Sequence, residues 1–251
     1  MNNLNLAVRV PAITAFFWVI KILATTVGET FADYLNVDIG LGFEITSLVM
    51  ITALVIALVI QFSLKRYVPA VYWSAIVLIS VAGTLVTDYL TDSMGVPLVM
   101  SSLIFAILLG LVFAIWFRRE KTLAMKSIST APREAFYWLA ILFTFALGTA
   151  LGDYLAETVG LGYGLSALAY GCMILFTFGL YRAKRLGPVA AFWIAYVLTR
   201  PLGASVGDLL AQDQVNGGLG FGTTGVSMVF LGTILFLTVW LTISKKDQIK
   251  L

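Results

Sequence analysis

Phe17-Trp18-Val19-Ile20-Lys21-Ile22-Leu23-Ala24-Thr25-Thr26-Val27-Gly28-Glu29-Thr30-Phe31-Ala32-Asp33 is an apolar stretch that turns acidic at its end. Its last six residues set a pattern, Gly28-x-x-x-Ala32-Asp33. The pattern returns as Gly83-x-x-x-Thr87-Asp88, Gly148-x-x-x-Gly152-Asp153 and Gly203-x-x-x-Gly207-Asp208. A leucine follows two residues after each aspartate (Leu35, Leu90, Leu155, Leu210), and a tryptophan stands ten residues before each glycine (Trp18, Trp73, Trp138, Trp193). The tryptophans are spaced by 55, 65 and 55 residues, and the long step contains a basic loop at 118–133. The chain therefore reads as four repeats, in two halves offset by 120 residues. Asp33-Tyr34-Leu35 maps onto Asp153-Tyr154-Leu155, and Gly40-Leu41-Gly42-Phe43 onto Gly160-Leu161-Gly162-Tyr163. A related Gly218-Leu219-Gly220-Phe221 opens the last apolar run.

Composition sets the class. The chain has 251 residues, 60% of them hydrophobic, and a mean hydropathy of +0.98. Apolar runs near 20 residues recur along its length, as in an all-α polytopic membrane protein. The first apolar stretch contains Lys21 and lacks a small-residue cleavage site before the next polar loop, so it does not read as a cleavable signal peptide. One cysteine, Cys172, and no histidine leave no intrachain disulfide and disfavour a zinc or copper site.

Eight membrane helices are predicted at 11–35, 43–64, 68–91, 96–117, 133–156, 162–182, 187–211 and 221–243. They form repeats 11–64, 68–117, 133–182 and 187–243 of one membrane domain spanning 1–251, with halves 1–117 and 133–243. Pro11, Pro69, Pro132 and Pro188 stand near the start of every odd helix, where a missing N–H is harmless. Fourteen of the sixteen basic residues fall at one end of these helices, while the opposite loops hold Asp38, Asp92, Glu157 and Asp213 and no lysine or arginine. The positive-inside rule then predicts that both termini are cytoplasmic. The net charge of +3 follows from this topology and implies no nucleic-acid partner. With two crossings per repeat, all four repeats run in parallel about an axis along the membrane normal.

The FW-x-x-K-x-L-x-TT-x-GET-x-x-D stretch, Phe17 to Asp33, with its three echoes, resembles the bacterial integral membrane proteins built of four tandem copies of a "repeat of unknown function". The resemblance covers nearly the whole chain and implies two transmembrane helices and one tryptophan per repeat. It implies no activity.

Function has to come from the residues inside the helices. Thr26, Glu29, Thr30 and Asp33 share one helical face, and thinner versions pair Thr84 with Asp88, Thr149 with Asp153 and Ser205 with Asp208. Oxygen-only stripes that face one another suit a hard cation or a proton relay. The contrary reading leaves the aspartates hydrated at the outer surface, since Asp33 lies roughly 33 Å of helix beyond Pro11. Against it, all four stand near helix C-termini, where the dipole disfavours negative charge. Lys21 and Arg200 break the repeat symmetry: their counterparts are Ile76, Ile141 and Tyr196, and Thr25, Ser80 and Phe145. A charge at the bilayer centre costs about 2.5–3.5 kcal/mol on insertion scales, so Glu29, Lys21 and Arg200 are expected inside the bundle. Lys21 and Arg200 read as counter-charges to the carboxylates. Pro201 is expected to kink and interrupt the seventh helix, and the tryptophans to anchor at the interface.

The leading expectation is an inner-membrane transporter or exporter of a small hard cation, Mn²⁺ or Mg²⁺, or one coupled to protons. Glu29, Asp33, Asp88, Asp153 and Asp208 would be the ligands, helped by Thr26, Thr30, Thr84, Thr149 and Ser205. No cofactor is expected beyond such a bound divalent cation, and no motif points to an enzyme. The partners implied are the lipid bilayer and the cation, and a homo-oligomer is compatible with the pattern. Two other readings remain open: a scaffold or regulatory subunit whose repeats only pack, and a small organic-solute transporter that uses Lys21 or Arg200.

Overall fold

The computed structural model describes residues 7–249 and is all-helical among them. Eight long helices run α1 (Ala15–Asp33), α2 (Gly42–Ser63), α3 (Pro69–Asp88), α4 (Leu98–Glu120), α5 (Ala131–Asp153), α6 (Gly162–Arg182), α7 (Pro188–Ala211) and α8 (Thr223–Ser244). Each is long and apolar enough to cross a membrane. Pro69, Pro132 and Pro188 occupy first helical turns as predicted. Pro11 does not: α1 begins at Ala15, and its N-cap is Thr14, whose hydroxyl accepts the Phe17 N–H. Lys250, part of the basic end read from the sequence, lies outside the described residues.

The odd helices form the interior. α1 packs on α3, α3 on α5, α5 on α7, and α7 back on α1, so four parallel repeats close into a ring. Between 50% and 67% of the residues in their spanning segments are buried, against 17–28% for the even helices. The even helices do not pack chiefly on their own partners. α2 lies on α3, α4 on α5, α6 on α7 and α8 on α1. The sequence repeat is thus not the packing unit: the hairpins expected from the spacing are opened, and each lends its second helix to the next repeat.

The small residues explain the ring. A Cβ added to Gly28 would lie 1.9 Å from Ser80 Oγ, and one on Gly83 2.8 Å from Phe145 Cβ. On Gly148 it would lie 2.3 Å from Arg200 Cγ, and on Gly203 2.0 Å from Thr25 Oγ1. Counted from the repeat tryptophan, position +10 of every odd helix receives position +7 of the next, and the fourth receives the first. Small residues at membrane helix interfaces let backbones approach this closely.

Helices α1, α3 and α5 do not stop at their aspartates. Each continues through one π-helical turn, Tyr34–Asp38, Tyr89–Ser93 and Tyr154–Thr158. Gly40, Gly42, Gly160 and Gly162 then take φ between +71° and +76°, which is the local reason for the Gly-Leu-Gly repeat. Helix α7 ends differently. Its last carbonyls, Leu209 to Gln212, accept the N–H groups of Leu219, Phe221, Gly222 and Gly220. Pro201 does not interrupt α7, which runs unbroken from Pro188 to Ala211. The ring of Pro201 is seated against Gly148 and Gly152 of α5, so tight packing holds the helix through it.

At the end that carries the basic loops, the segment before α1 crosses the bundle. Arg9 N–H donates to Ile128 O, Tyr67 N–H to Val8 O and Ala12 N–H to Asp247 O. Arg9 also pairs at 2.7 Å with Glu134, which is wholly buried.

Candidate functional site

At the opposite end of the ring lies a cavity of about 200 Å³ lined by Glu29, Asp33, Asp88, Thr91, Asp92, Leu98, Asp153, Glu157, Tyr163, Asp208 and Gln212. All four repeat aspartates are present. They meet because position +15 of each odd helix faces the ring axis, one turn beyond the glycine contacts. Asp208 and Glu29 are buried, the other three aspartates half-buried. One oxygen each from Glu29, Asp153 and Asp208 lie within 4.8 Å of one another. Ionised carboxylates at that separation repel by roughly 3 kcal/mol per pair at an effective dielectric constant near 20. A larger, mostly apolar groove between α3 and α8, lined by Val77, Leu78, Leu231 and Leu235 with Ser74 and Thr238, contains none of these carboxylates.

Glu29 is the floor of the acidic cavity. Below it the Arg200 guanidinium places Nη1 and Nη2 each 3.1 Å from Glu29 Oε2. Nη2 also donates to Thr149 Oγ1 at 2.7 Å and to the Thr84 hydroxyl, and Nη1 to Thr25 O at 3.4 Å. The Thr84 hydroxyl donates in turn to Glu29 Oε2 at 3.3 Å. Arg200 is therefore the counter-charge the sequence implied, held by Thr84 and Thr149 rather than beside the aspartates those threonines were grouped with. Asp33 receives Gln212 Nε2 at 3.4 Å. No lysine or arginine pairs with Asp33, Asp88, Asp153 or Asp208 among the described residues.

Four sequence-predicted site residues lie elsewhere. Lys21 meets no carboxylate. Its Nζ is fully buried without a hydrogen-bond partner, 4.4 Å from the Phe145 ring centroid and 4.2 Å from that of Tyr196. It stands eight residues before Glu29, about 12 Å along the helix, too far to reach it. Thr26 bonds back to Ile22 O. Thr30 turns outward, its hydroxyl 2.8 Å from Ser227 of α8. Ser205 is buried with its hydroxyl unpaired and does not line the cavity. The polar stripe of α1 is thus split: Glu29 and Asp33 face the axis, while Thr26 and Thr30 flank the α7 and α8 contacts.

Asp92, Glu157 and Gln212 line the cavity but were not singled out as ligands. They share position +19 and so stand four residues past their aspartates, a spacing that would have placed them on the same face had the predicted helices been continued one residue past 91, 156 and 211. The tryptophans depart from expectation too. Trp73, Trp138 and Trp193 are buried, and with Phe17, Tyr72, Tyr137, Phe192 and Tyr196 they fill the other end of the ring. Trp193 Nε1 donates to Leu123 O and Trp138 Nε1 to Glu134. Those three fill the bundle rather than face its surface, while Trp18 is half-buried beside Phe17 and Phe192.

No curated protein and no solved structure matches the chain. A family model described as Repeat of Unknown Function (DUF347) matches it four times, at 16–67, 71–122, 136–186 and 191–247, each match taking in most of one odd helix and all of the even helix that follows. This polytopic helical protein belongs to that family.

Proposed function

We propose that the protein moves a small hard cation, Mn²⁺ or Mg²⁺, across the bacterial inner membrane, with protons as the alternative or coupled ion. In this reading both termini are cytoplasmic and the acidic cavity opens outward. One observation carries it. Seven carboxyl groups from the repeats line one cavity of about 200 Å³, and the nearest base, Arg200, reaches only Glu29. Such a site keeps its carboxyl groups ionised only with cations to offset them, and carboxyl oxygens are the chemistry of Mg²⁺ and Mn²⁺ rather than copper or zinc. A packing scaffold, by contrast, calls for every acid to find a base or a hydroxyl, and Asp88, Asp153 and Asp208 find neither among the described residues. Enzymatic chemistry has no part in the proposal.

The test is Mn²⁺ entry into liposomes reconstituted with purified protein, read by quenching of a trapped dye. Asp33→Asn and Glu29→Gln are expected to reduce the flux at least about tenfold while the protein still inserts, since each removes a ligand whose interactions exceed about 1.4 kcal/mol. Wild-type flux in both variants refutes the assignment.

A further inference from the structure

Position +11 of the odd helices forms a layer on the ring axis: Glu29, Thr84, Thr149 and Ala204. Three of the four carry oxygen, and all three meet the same guanidinium. Arg200 Nη2 alone contacts Glu29 Oε2, Thr84 Oγ1 and Thr149 Oγ1. The repeats have built a ring of oxygen donors, and one departure from their symmetry fills it with a cation that belongs to the protein.

Two features set this pair apart from a permanent structural lock. Arg200 Nε is buried with no hydrogen-bond partner, so the guanidinium is incompletely satisfied where it sits. A buried charge pair is favourable only when its remaining donors are also satisfied. Glu29, for its part, accepts every donor on Oε2 and none on Oε1 among the described residues. The same side chain lines the acidic cavity, with oxygens of Asp153 and Asp208 close by. Glu29 stands between two cation positions, one filled by Arg200 and one facing the cavity.

We infer that Arg200 is a tethered competitor for the transported cation, the two alternating on Glu29. In the empty protein the guanidinium occupies the inner ring. A cation arriving through the acidic cavity takes Glu29 and releases it. The exchange leaves Glu29 compensated at each stage, so no lone buried carboxylate is created. This inference rests on the cation-binding reading of the cavity.

Calorimetric titration of Mn²⁺ into purified wild type, Arg200→Gln and Arg200→Lys tests it. Arg200→Gln is expected to bind at least about tenfold more tightly than wild type, because the competitor is gone. Arg200→Lys, which keeps the charge but not the fork that reaches Glu29, Thr84 and Thr149, should bind with an affinity between those of wild type and Arg200→Gln. Equal affinity in Arg200→Gln and wild type overturns the inference. A second measurement uses no metal. Arg200→Ala opens a guanidinium-sized space beside Gly148, so guanidinium chloride at about 10 mM should raise its melting temperature by several degrees. Glu29→Gln/Arg200→Ala should gain nothing. An equal response of the two variants also overturns the inference. If Arg200→Ala fails to insert, the titration of Arg200→Gln decides alone. If neither wild type nor Arg200→Gln binds Mn²⁺ while guanidinium stabilises Arg200→Ala through Glu29, the tethered competitor stands and the choice of a divalent cation falls.

Discussion

At the scale of single residues the four glycines at position +10 do unlike work from like places. Gly28 and Gly203 admit hydroxyl residues, Ser80 and Thr25, and Gly83 admits Phe145. Gly148 admits the stem of Arg200 and so fixes where this base, which pairs with Glu29, emerges. A methyl group there would stand 2.3 Å from Arg200 Cγ and 3.0 Å from Pro201 Cδ. One neighbour is a flexible stem and the other a rigid ring, so relief requires α5 and α7 to separate. Gly148→Ala is expected to destabilise by about 1–3 kcal/mol through overpacking, and to displace Arg200 from Glu29. Gly110 of α4 has open space around it, and Gly110→Ala is expected to be neutral or to stabilise by up to about 1 kcal/mol. Thermal unfolding of both variants in the same detergent checks the pair, and equal melting temperatures would contradict the cradle. The glycine spacing was plain in the sequence. What it admits was not, because the partner lies on the next repeat, 52 or more residues away.

Among the elements, the two ends of the odd helices differ in what holds them. The acidic end relies on π turns and left-handed glycines that carry the chain outward to the next repeat's flank. The basic end relies on polar links that no helical pattern displays. Glu134 accepts from Arg9, Gln61 and Trp138, and Asp247 accepts from Tyr67. Burial pushes the Asp247 carboxyl above its usual range, while the Tyr67 hydroxyl opposes the shift by stabilising the charged form. Glu134→Gln keeps the shape but removes the charge that holds Arg9, at a cost of about 1–3 kcal/mol. Limited trypsinolysis of the detergent-solubilised protein should then cut after Arg9 several-fold faster than in wild type. An unchanged rate would mean that the backbone links to Ile128 and Asp247 suffice. The helices themselves were legible, because apolar length and the charge asymmetry of the loops need no tertiary knowledge. The aspartate quartet was legible too, since a shared register on parallel repeats points four side chains to one axis. Lys21 was misplaced because it lies about 12 Å along the helix from Glu29. Ser205 was misplaced because it does not line the cavity although its hydroxyl is unpaired among the described residues, and Thr26 and Thr30 for a further reason. A polar residue on the right helix faces the axis only if its angle matches, and a hydroxyl satisfied by its own turn or by α8 gives no sign of that in the sequence. The continuity of α7 through Pro201 likewise depends on Gly148 and Gly152, which belong to another helix.

For the molecule as a whole, what matters is that the ring closes. α8 lies on α1 as α2 lies on α3, so the contact between the end and the beginning of the chain is equivalent to the contacts between successive repeats. The termini meet at the basic end, where Ala12 N–H donates to Asp247 O at 2.8 Å. Lys121, exposed and at a left-handed helix end, marks the start of the loop between the halves at that same end. The polypeptide order is then nearly incidental to the fold, because every neighbour relation is preserved if the chain starts elsewhere on the ring. A permutant that joins residue 249 to residue 7 through a short Gly/Ser linker and begins at Thr122 keeps eight crossings, the same sidedness and all four glycine contacts. It is expected to insert and to melt within about 5 °C of wild type, as a change of roughly 1 kcal/mol or less would allow. A permutant cut instead between Gly42 and Phe43, at the acidic end, puts new termini where the loops carry no positive charge, and the positive-inside rule gives no reason for both ends to cross. It is expected to fail to insert. If the first permutant fails while the two halves, expressed as separate chains, still assemble, then the α8–α1 contact is weaker than its three counterparts and the ring is held shut by the chain rather than by its packing.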